Sequence, residues 1–147
     1  LAALKQDRGR VVNIGSVFGD IGYPFFAGYS ATKFGLRGFS DALRRELSGS
    51  GIGVTYIAPR ATHTAAEDAF SALIEPLQMT VDSAEAVAEQ AWSAILKGKR
   101  ESFPRGKERF FVRVQRIFPA LVDKSVGAQA RDPRTRAALD MPAQSQH

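Results

Sequence analysis

Tyr29 and Lys33 stand four residues apart at the head of a segment with helical periodicity, and Ser16 precedes the tyrosine by thirteen residues. On a helix, positions i and i+4 share one face, one turn apart. A free phenol titrates near pH ~10, far from neutrality. A fixed ammonium nearby favours the phenolate, and a phenol so placed can exchange a proton with an alcohol or a carbonyl. The same spacing also arises on many helices as a solvated lysine beside a half-buried ring. The elements around the pair have to decide between these readings.

Those elements form a simple order. Arg10-Val11-Val12-Asn13-Ile14-Gly15-Ser16 is a short run with β-branched residues and reads as a strand buried on both faces, as in a parallel sheet. Gly15, Gly19 and Gly22 break it into a loop that ends at Pro24. From Ala27 to about Leu47 the period is helical, with Ala31, Phe34, Gly35, Gly38, Phe39, Ala42, Leu43 and Glu46 along one side. Arg37, Asp41, Arg44 and Arg45 fall on another side, and the i, i+4 spacing predicts Arg37–Asp41 and Asp41–Arg45 pairs. Gly35 and Gly38 lower helix propensity, which predicts close approach of another element to a flat face. Gly53-Val54-Thr55-Tyr56-Ile57-Ala58 reads as a second strand, stopped by Pro59.

Strand, helix and strand with short connections make a βαβ unit, with a parallel, right-handed crossover. In open α/β sheets ligands sit beyond the carboxyl ends of the strands. Ser16 ends the first strand, the segment Pro59 to Thr64 leaves the second, and Tyr29 opens the helix between them on the same side. Three separately placed segments converge on one edge, which favours the chemical reading of the pair.

Further along, Ala65 to Leu73 reads as a helical insert in a loop. Asp82 or Ser83 is an N-cap candidate for a helix that runs through Trp92 to Gly98, with Trp92 expected in the core. Glu101 to Pro104 reads as a short edge strand. Residues 107–126 are amphipathic, with a break at Pro119. From Ala128 the chain is polar and is expected to fray.

The chain has 147 residues, 44% of them hydrophobic, which suits one domain with a real core. With no cysteine there is neither a disulfide framework nor a thiolate metal site, and no metal ligands are expected. No apolar run reaches the ~20 residues of a membrane span. The first residues do not read as a signal peptide, and the expected location is cytoplasmic. The chain starts without a methionine in what reads as a helix end, so it is expected to be part of a longer protein. Charge is local: residues 97–116 hold eight basic side chains against two acidic ones, within a net charge of +5. Phenylalanines are interleaved with them. The segment reads as a pocket lid or C-terminal helix with a charged rim, with an anionic membrane surface or nucleic acid as rival partners.

Val12-Asn13-Ile14-Gly15-Ser16, Tyr29-Ser30-Ala31-Thr32-Lys33 and Tyr56-Ile57-Ala58-Pro59 together resemble the short-chain dehydrogenases/reductases, in their single-domain branch. The resemblance covers roughly residues 1–97. It implies an α/β fold: the C-terminal half of a Rossmann-like, doubly wound parallel sheet with a C-terminal helical extension. It also implies catalytic roles. Ser16 would hold the substrate oxygen, Tyr29 would give or take the proton, and Lys33 would support the tyrosine and hold the nicotinamide ribose hydroxyls. Tyr29, Lys33, Pro59, Arg60, Ala61, Thr62 and Thr64 would border the cofactor, NAD or NADP.

The sequence departs from the family pattern in two ways. Arg60 stands where the family usually has glycine, and could face an anion or solvent. No Gly-x-x-x-Gly-x-Gly turn precedes Ser16, so residues 1–127 read as a partial catalytic domain lacking the nucleotide-binding half, and 128–147 as a disordered tail. The implied function is an NAD(P)-dependent oxidoreductase interconverting an alcohol and a ketone or aldehyde. The alternatives are an extended-branch epimerase or dehydratase, and a non-catalytic basic module binding membranes or nucleic acid. Expected partners are a small carbonyl or alcohol substrate and a second copy of the chain, paired through the Gly35 and Gly38 side of the helix. Nucleic acid is not expected, and peripheral membrane contact would run through 105–121.

Overall fold

A computed structural model describes residues 2–63 and 70–140. Helix α1 (Ala2–Gln6) ends at Gly9, whose N–H reaches back to the Leu4 carbonyl at 2.8 Å. Strand β1 (Arg10–Ile14), helix α2 (Ala27–Glu46) and strand β2 (Gly53–Ile57) follow in the expected order. β1 and β2 pair in parallel, with Arg10 opposite Gly53 and Ile14 opposite Ile57. The βαβ unit is therefore present, and its register sets the ends of both strands level.

Beyond it lie a short strand β3 (Ala61–Thr62), helix α3 (Ser71–Ile74), strand β4 (Val81–Asp82) and helix α4 (Ala84–Leu96). Ser83 caps α4, its side chain accepting from the Ala86 N–H at 3.2 Å. Strand β5 (Glu101–Ser102) then pairs in parallel with β2, giving the sheet order β1-β2-β5. β3 and β4 form a separate parallel pair that the sequence reading did not foresee, each being only two residues long. Helices α5 (Glu108–Ile117), α6 (Pro119–Arg131) and α7 (Pro133–Asp140) close the chain, with the break at Pro119 as expected.

The architecture is α/β, a parallel sheet with helices. Two apolar clusters sit in it. Leu47, Ile52 and Val54 close the lower end of the βαβ unit, with Leu4, Val11 and Leu43 against them. Val17, Ile21, Val112 and Val122 fix the α5–α6 pair to the loop after β1.

Several expectations are corrected. β1 is not buried on both faces: Val11 and Val12 are half-buried and Ile14 is 54% exposed, because β1 is the edge of the described sheet. Trp92 is outside the core at 62% exposure, on the face of α4 turned from the sheet. The apolar side of α2 faces outward at Phe34 and Phe39, while Leu43 at its far end packs inward. The side packed inward carries Ser30, Lys33, Arg37 and Ser40. Polar groups hold that face instead of oil. Asn13 Nδ2 donates to Ser40 Oγ at 2.9 Å, and Ser40 Oγ donates to the Leu36 carbonyl at 2.7 Å.

The expected i, i+4 ion pairs on α2 are replaced by others. Asp41 pairs with Arg44 and Arg100, while Arg37 pairs with Glu101 at 2.6 Å and Asp20 at 3.7 Å. The polar segment from 128 is helical through Asp140 rather than disordered. Pro133 opens α7, where a missing N–H is harmless, and Thr135 is fully buried where α7 meets α3 and α6. Most of the expected insert Ala65–Leu73, Thr64, and residues 141–147 lie outside the described residues.

Candidate active site

The site is assembled where β1 and β2 end. Past Ile14 the ladder continues through the Gly15 N–H, which donates to the Ile57 carbonyl at 2.7 Å. The Val17 N–H then donates to the Pro59 carbonyl at 3.0 Å. The two loops thus leave the sheet tied together, and Ser16 and Pro59 are brought side by side.

Ser16 is buried, with extended backbone, and its Oγ accepts from the Phe18 N–H at 3.1 Å. It caps a single 3₁₀ turn, Val17–Gly19. From below, the fully buried Tyr56 Oη donates to the Ser16 carbonyl at 3.2 Å and accepts from the Ser16 N–H at 3.4 Å. Burial pushes the Tyr56 phenol above its ordinary value, so it stays a protonated donor. The tyrosine fits because its neighbours are glycines. A Cβ on Gly15 would overlap the Tyr56 ring, and one on Gly19 would stand 2.6 Å from Tyr56 Oη and 2.7 Å from the Lys33 carbonyl.

A polar cluster braces this loop. Arg37 lies over the Tyr56 ring, 4.8 Å from its centroid, and pairs with Glu101 and Asp20. Asp20 also accepts from Arg116 Nη2 of α5 at 2.7 Å. Desolvation raises the Asp20 carboxyl, against the Arg116 hydrogen bond and the charges of Arg37 and Arg116.

Tyr29 and Lys33 open α2 above the strand ends. Lys33 Nζ donates to the Ile14 carbonyl at 3.2 Å and lies 5.4 Å from the Tyr29 ring centroid. The Tyr29 ring is 45% exposed, and its hydroxyl has no hydrogen-bond partner among the described residues. Ser16, Tyr29 and Lys33 therefore converge on one edge, as their spacing predicted.

Arg60, expected at the cofactor, is held by two carboxylates and also lines the cavity next to the site. Its Nε and Nη2 donate to both oxygens of Asp82 at 2.9 and 2.6 Å, and its Nη1 donates to Glu108 at 2.6 Å. A planar fork held by two carboxylates is a structural clamp and has little left for a phosphate. Pro59, Ala61 and Thr62 line the same edge, with the Thr62 hydroxyl donating to the Arg60 carbonyl at 3.0 Å. Thr64 lies outside the described residues.

Next to the site is a cavity of about 560 Å³, within the ~300–1,000 Å³ range of small-molecule sites. Val17, Phe18 and Tyr23 wall one side, and α5 and α6 wall the other through residues such as Phe111, Val114 and Val122. Phe18 connects it to Tyr29: its ring stacks on Tyr23 at 4.9 Å and meets Tyr29 edge-on at 6.1 Å. The sequence reading missed Tyr23, Tyr56 and Gln129, which line or brace the site. Only Gly15 and Gly19, markers of a close approach, hinted at Tyr56. Among the described residues no acidic, histidine or cysteine cluster could hold a metal ion. None of the described helices is long and apolar enough to cross a membrane.

The family profile described as short chain dehydrogenase matches residues 1–73. The chain is 36% identical over 127 residues to the hydroxysteroid 11-beta-dehydrogenase 1-like protein B of Xenopus laevis, covering 84% of this chain and 43% of that protein. It is 31% identical over 146 residues to retinol dehydrogenase 5 of Mus musculus, covering 92% of this chain and 42% of that protein. The chain thus spans less than half the length of these relatives. Its fold matches a short chain dehydrogenase from Burkholderia cenocepacia J2315 solved in complex with NADP, with a TM-score of 0.72 at 16% identity. That match covers 85% of this chain and 50% of the other.

Proposed function

The chain belongs to the short-chain dehydrogenase/reductase family, and on that premise we propose that it carries the catalytic groups of an NAD(P)-dependent oxidoreductase interconverting an alcohol and a ketone or aldehyde. The observation that carries this reading is the Tyr29 hydroxyl, without a partner among the described residues, beside Lys33 at the edge where Ser16 ends β1. In reduction, Tyr29 Oη gives its proton to the carbonyl oxygen; in oxidation it takes the alcohol proton. The Ser16 hydroxyl, held by its loop, donates to the same oxygen and fixes its position.

The residues present fit the nicotinamide end of the cofactor. Among the described residues Lys33 Nζ has one acceptor, the Ile14 carbonyl, and so keeps donors for ribose hydroxyls. Pro59, Ala61 and Thr62 would border the ring. When bound, the nicotinamide supplies or accepts the hydride. Among the described residues there is no glycine-rich strand–turn–helix of the kind that cradles a dinucleotide's phosphates, and the relatives are more than twice as long as the matched stretch.

The cavity favours an apolar substrate, and the relatives are named for retinol and hydroxysteroids. The deciding experiment is Tyr29→Phe in the full-length protein, followed by nicotinamide absorbance over a panel of apolar alcohols and ketones. Turnover should be abolished with the fold intact by circular dichroism; unchanged turnover would remove the catalytic assignment.

Self-association through α2 belongs to the same proposal. Phe34 and Phe39 are exposed there, and Gly35 and Gly38 have open space above them. Light scattering reads it directly, and a monomer at working concentration counts against it.

A second reading concerns α5 and α6. Phe110, Ile117, Phe118 and Leu121 are all about two-thirds exposed, next to Arg109, Arg113 and Arg116. An apolar stripe bordered by cations suits contact with an anionic lipid surface. Co-sedimentation with phosphatidylserine vesicles at low salt checks it, and an absence of binding removes it.

A further inference from the structure

Phe18 meets both Ser16 and Tyr29, by different parts of itself. Its backbone N–H donates to Ser16 Oγ at 3.1 Å, and its ring meets the Tyr29 ring edge-on at 6.1 Å with 81° between the planes. A serine hydroxyl carries one proton and two lone pairs. The Phe18 N–H occupies a lone pair and so turns the proton away from itself. That proton has no acceptor among the described residues, which keeps Ser16 a donor.

Tyr29 has no comparable bond. Its hydroxyl is without a partner among the described residues and its ring is 45% exposed, so packing sets where the phenol points. Lys33 Nζ lies 5.4 Å from the ring centroid, but it sits on a flexible four-carbon stem. Phe18 is the stiffer neighbour. Its ring stacks on Tyr23 at 4.9 Å, with 5° between the planes, and meets Phe26 at 5.2 Å. Both of these rings are anchored in turn. The Tyr23 hydroxyl donates to Gln129 on α6 at 2.6 Å, and the Tyr23 N–H donates to Ser30 Oγ on α2 at 3.4 Å. Phe26 meets Phe70 edge-on at 6.0 Å. Stacked and edge-on ring pairs are favourable beyond the area they bury.

We infer that Phe18 is a positioning residue: its ring fixes the Tyr29 phenol and its backbone N–H fixes the Ser16 hydroxyl, so that one residue sets both groups. Phe18 itself does not act on the reacting atoms. The inference rests on the oxidoreductase reading for what a change in rate means; the two contacts stand without it.

The test uses the full-length protein with isotope-labelled tyrosine and phenylalanine. NMR of the wild type should show a nuclear Overhauser contact between the Phe18 and Tyr29 rings, the Tyr29 signals being identified by their loss in Tyr29→Phe. Phe18→Leu keeps apolar bulk and the backbone N–H. It should shift the Tyr29 ring signals, because no ring faces them any longer. It should also lower kcat with NAD or NADP about 10- to 100-fold, the scale of a misplaced reacting group. The loss should be alike for n-propanol and n-decanol, since the reacting group is disturbed. Phe18 also lines the neighbouring cavity; a role confined to that wall would instead raise KM for n-decanol and spare n-propanol. A general structural role would lower the unfolding midpoint and leave kcat of the folded enzyme unchanged. Phe18→Tyr, which keeps the ring, should restore most of the rate. In Ser16→Ala the Phe18 amide should exchange faster, its acceptor gone.

The inference is overturned if the wild type lacks the ring contact, if Phe18→Leu leaves the Tyr29 signals or kcat for n-propanol unmoved, or if the Phe18 amide exchanges no faster in Ser16→Ala. Should the leucine variant not fold, the wild-type contact and the Ser16→Ala exchange decide. Failure of the wild type to oxidise either alcohol counts against the oxidoreductase reading and leaves the positioning to be judged from the NMR and exchange measurements.

Discussion

Tyr56 Oη lies 3.2 Å from the Ser16 carbonyl oxygen and donates to it across 40 residues of sequence. A phenol on β2 thereby holds the loop that leaves β1, and Ser16 owes its position to a side chain that touches no substrate. Tyr56→Phe keeps the ring and removes only this bond. The expected cost is about 0.5–1.5 kcal/mol in urea unfolding. The expected kinetic signature is a fall in kcat larger than any change in KM, because the loosened serine still admits substrate. Parallel losses in both constants would argue for a general structural role.

Gly15 and Gly19 leave room for the same phenol. Gly15→Ala places a methyl group inside the Tyr56 ring, and Gly19→Ala meets the Lys33 backbone carbonyl at 2.7 Å, where nothing flexible can give way. Each should destabilise by about 1–3 kcal/mol, the usual cost of overpacking a filled core. By contrast, Gly35→Ala, with open space above it within the chain, should be neutral or slightly stabilising through helix propensity at dilutions where the protein is a monomer. Thermal unfolding of the three variants side by side checks the contrast.

Arg60 clamps the loop after β2 to the first turn of α5 through Asp82 and Glu108. Arg60→Ala leaves two partly buried carboxylates facing one another without their cation. A loss of about 1–3 kcal/mol is expected from the missing charged hydrogen bonds, with faster amide exchange in residues 108–112. If exchange there is unchanged, the clamp does not hold α5.

Asp20 and Asp41 should give opposite pH signatures. Desolvation raises Asp20 above its ordinary 3.8, with the neighbouring Glu101 adding to the rise, and Arg116 and Arg37 only partly offset it. Above 3.8 the folded form therefore keeps a proton that the unfolded chain has released. The resulting stability is fully present below 3.8 and declines as pH rises through the raised value. Burial also opposes ionisation of Asp41, but the Arg44 hydrogen bond and the charges of Arg37 and Arg100 outweigh it and lower its value. Its contribution is present above 3.8 and lost as pH falls through the lowered value. In urea titrations, Asp20→Asn should gain on the wild type as pH rises from 3.8 through the raised value, then level off. A constant difference across that range would contradict the assignment.

What could be read from the sequence divides along physical lines. The βαβ unit and the convergence of Ser16, Tyr29 and Lys33 depend on local period and on strand ends, and both were legible. The burial of α2 was not, because its inward face is closed by the Asn13–Ser40 bond and by Arg37, and only near its end by Leu43. An apolar stripe normally marks the core, and here Phe34 and Phe39 point away from it. The role of Arg60 was hidden for a related reason. Its partners lie 22 and 48 residues away, and no spacing rule reaches that far. The helix α7 was missed because its composition is polar and its anchor is one buried threonine.

The ion pair between Asp20 and Arg116 joins residues 96 positions apart. During synthesis the chain emerges from its amino end, and β1, α2 and β2 are all complete within residues 10–57. The cavity is not, since its outer wall arrives only with α5 and α6. Contacts this distant in sequence form late, after the entropy of closing a long loop has been overcome. The edge that carries Ser16, Tyr29 and Lys33 is thus formed before α5 and α6 can wall the cavity beside it.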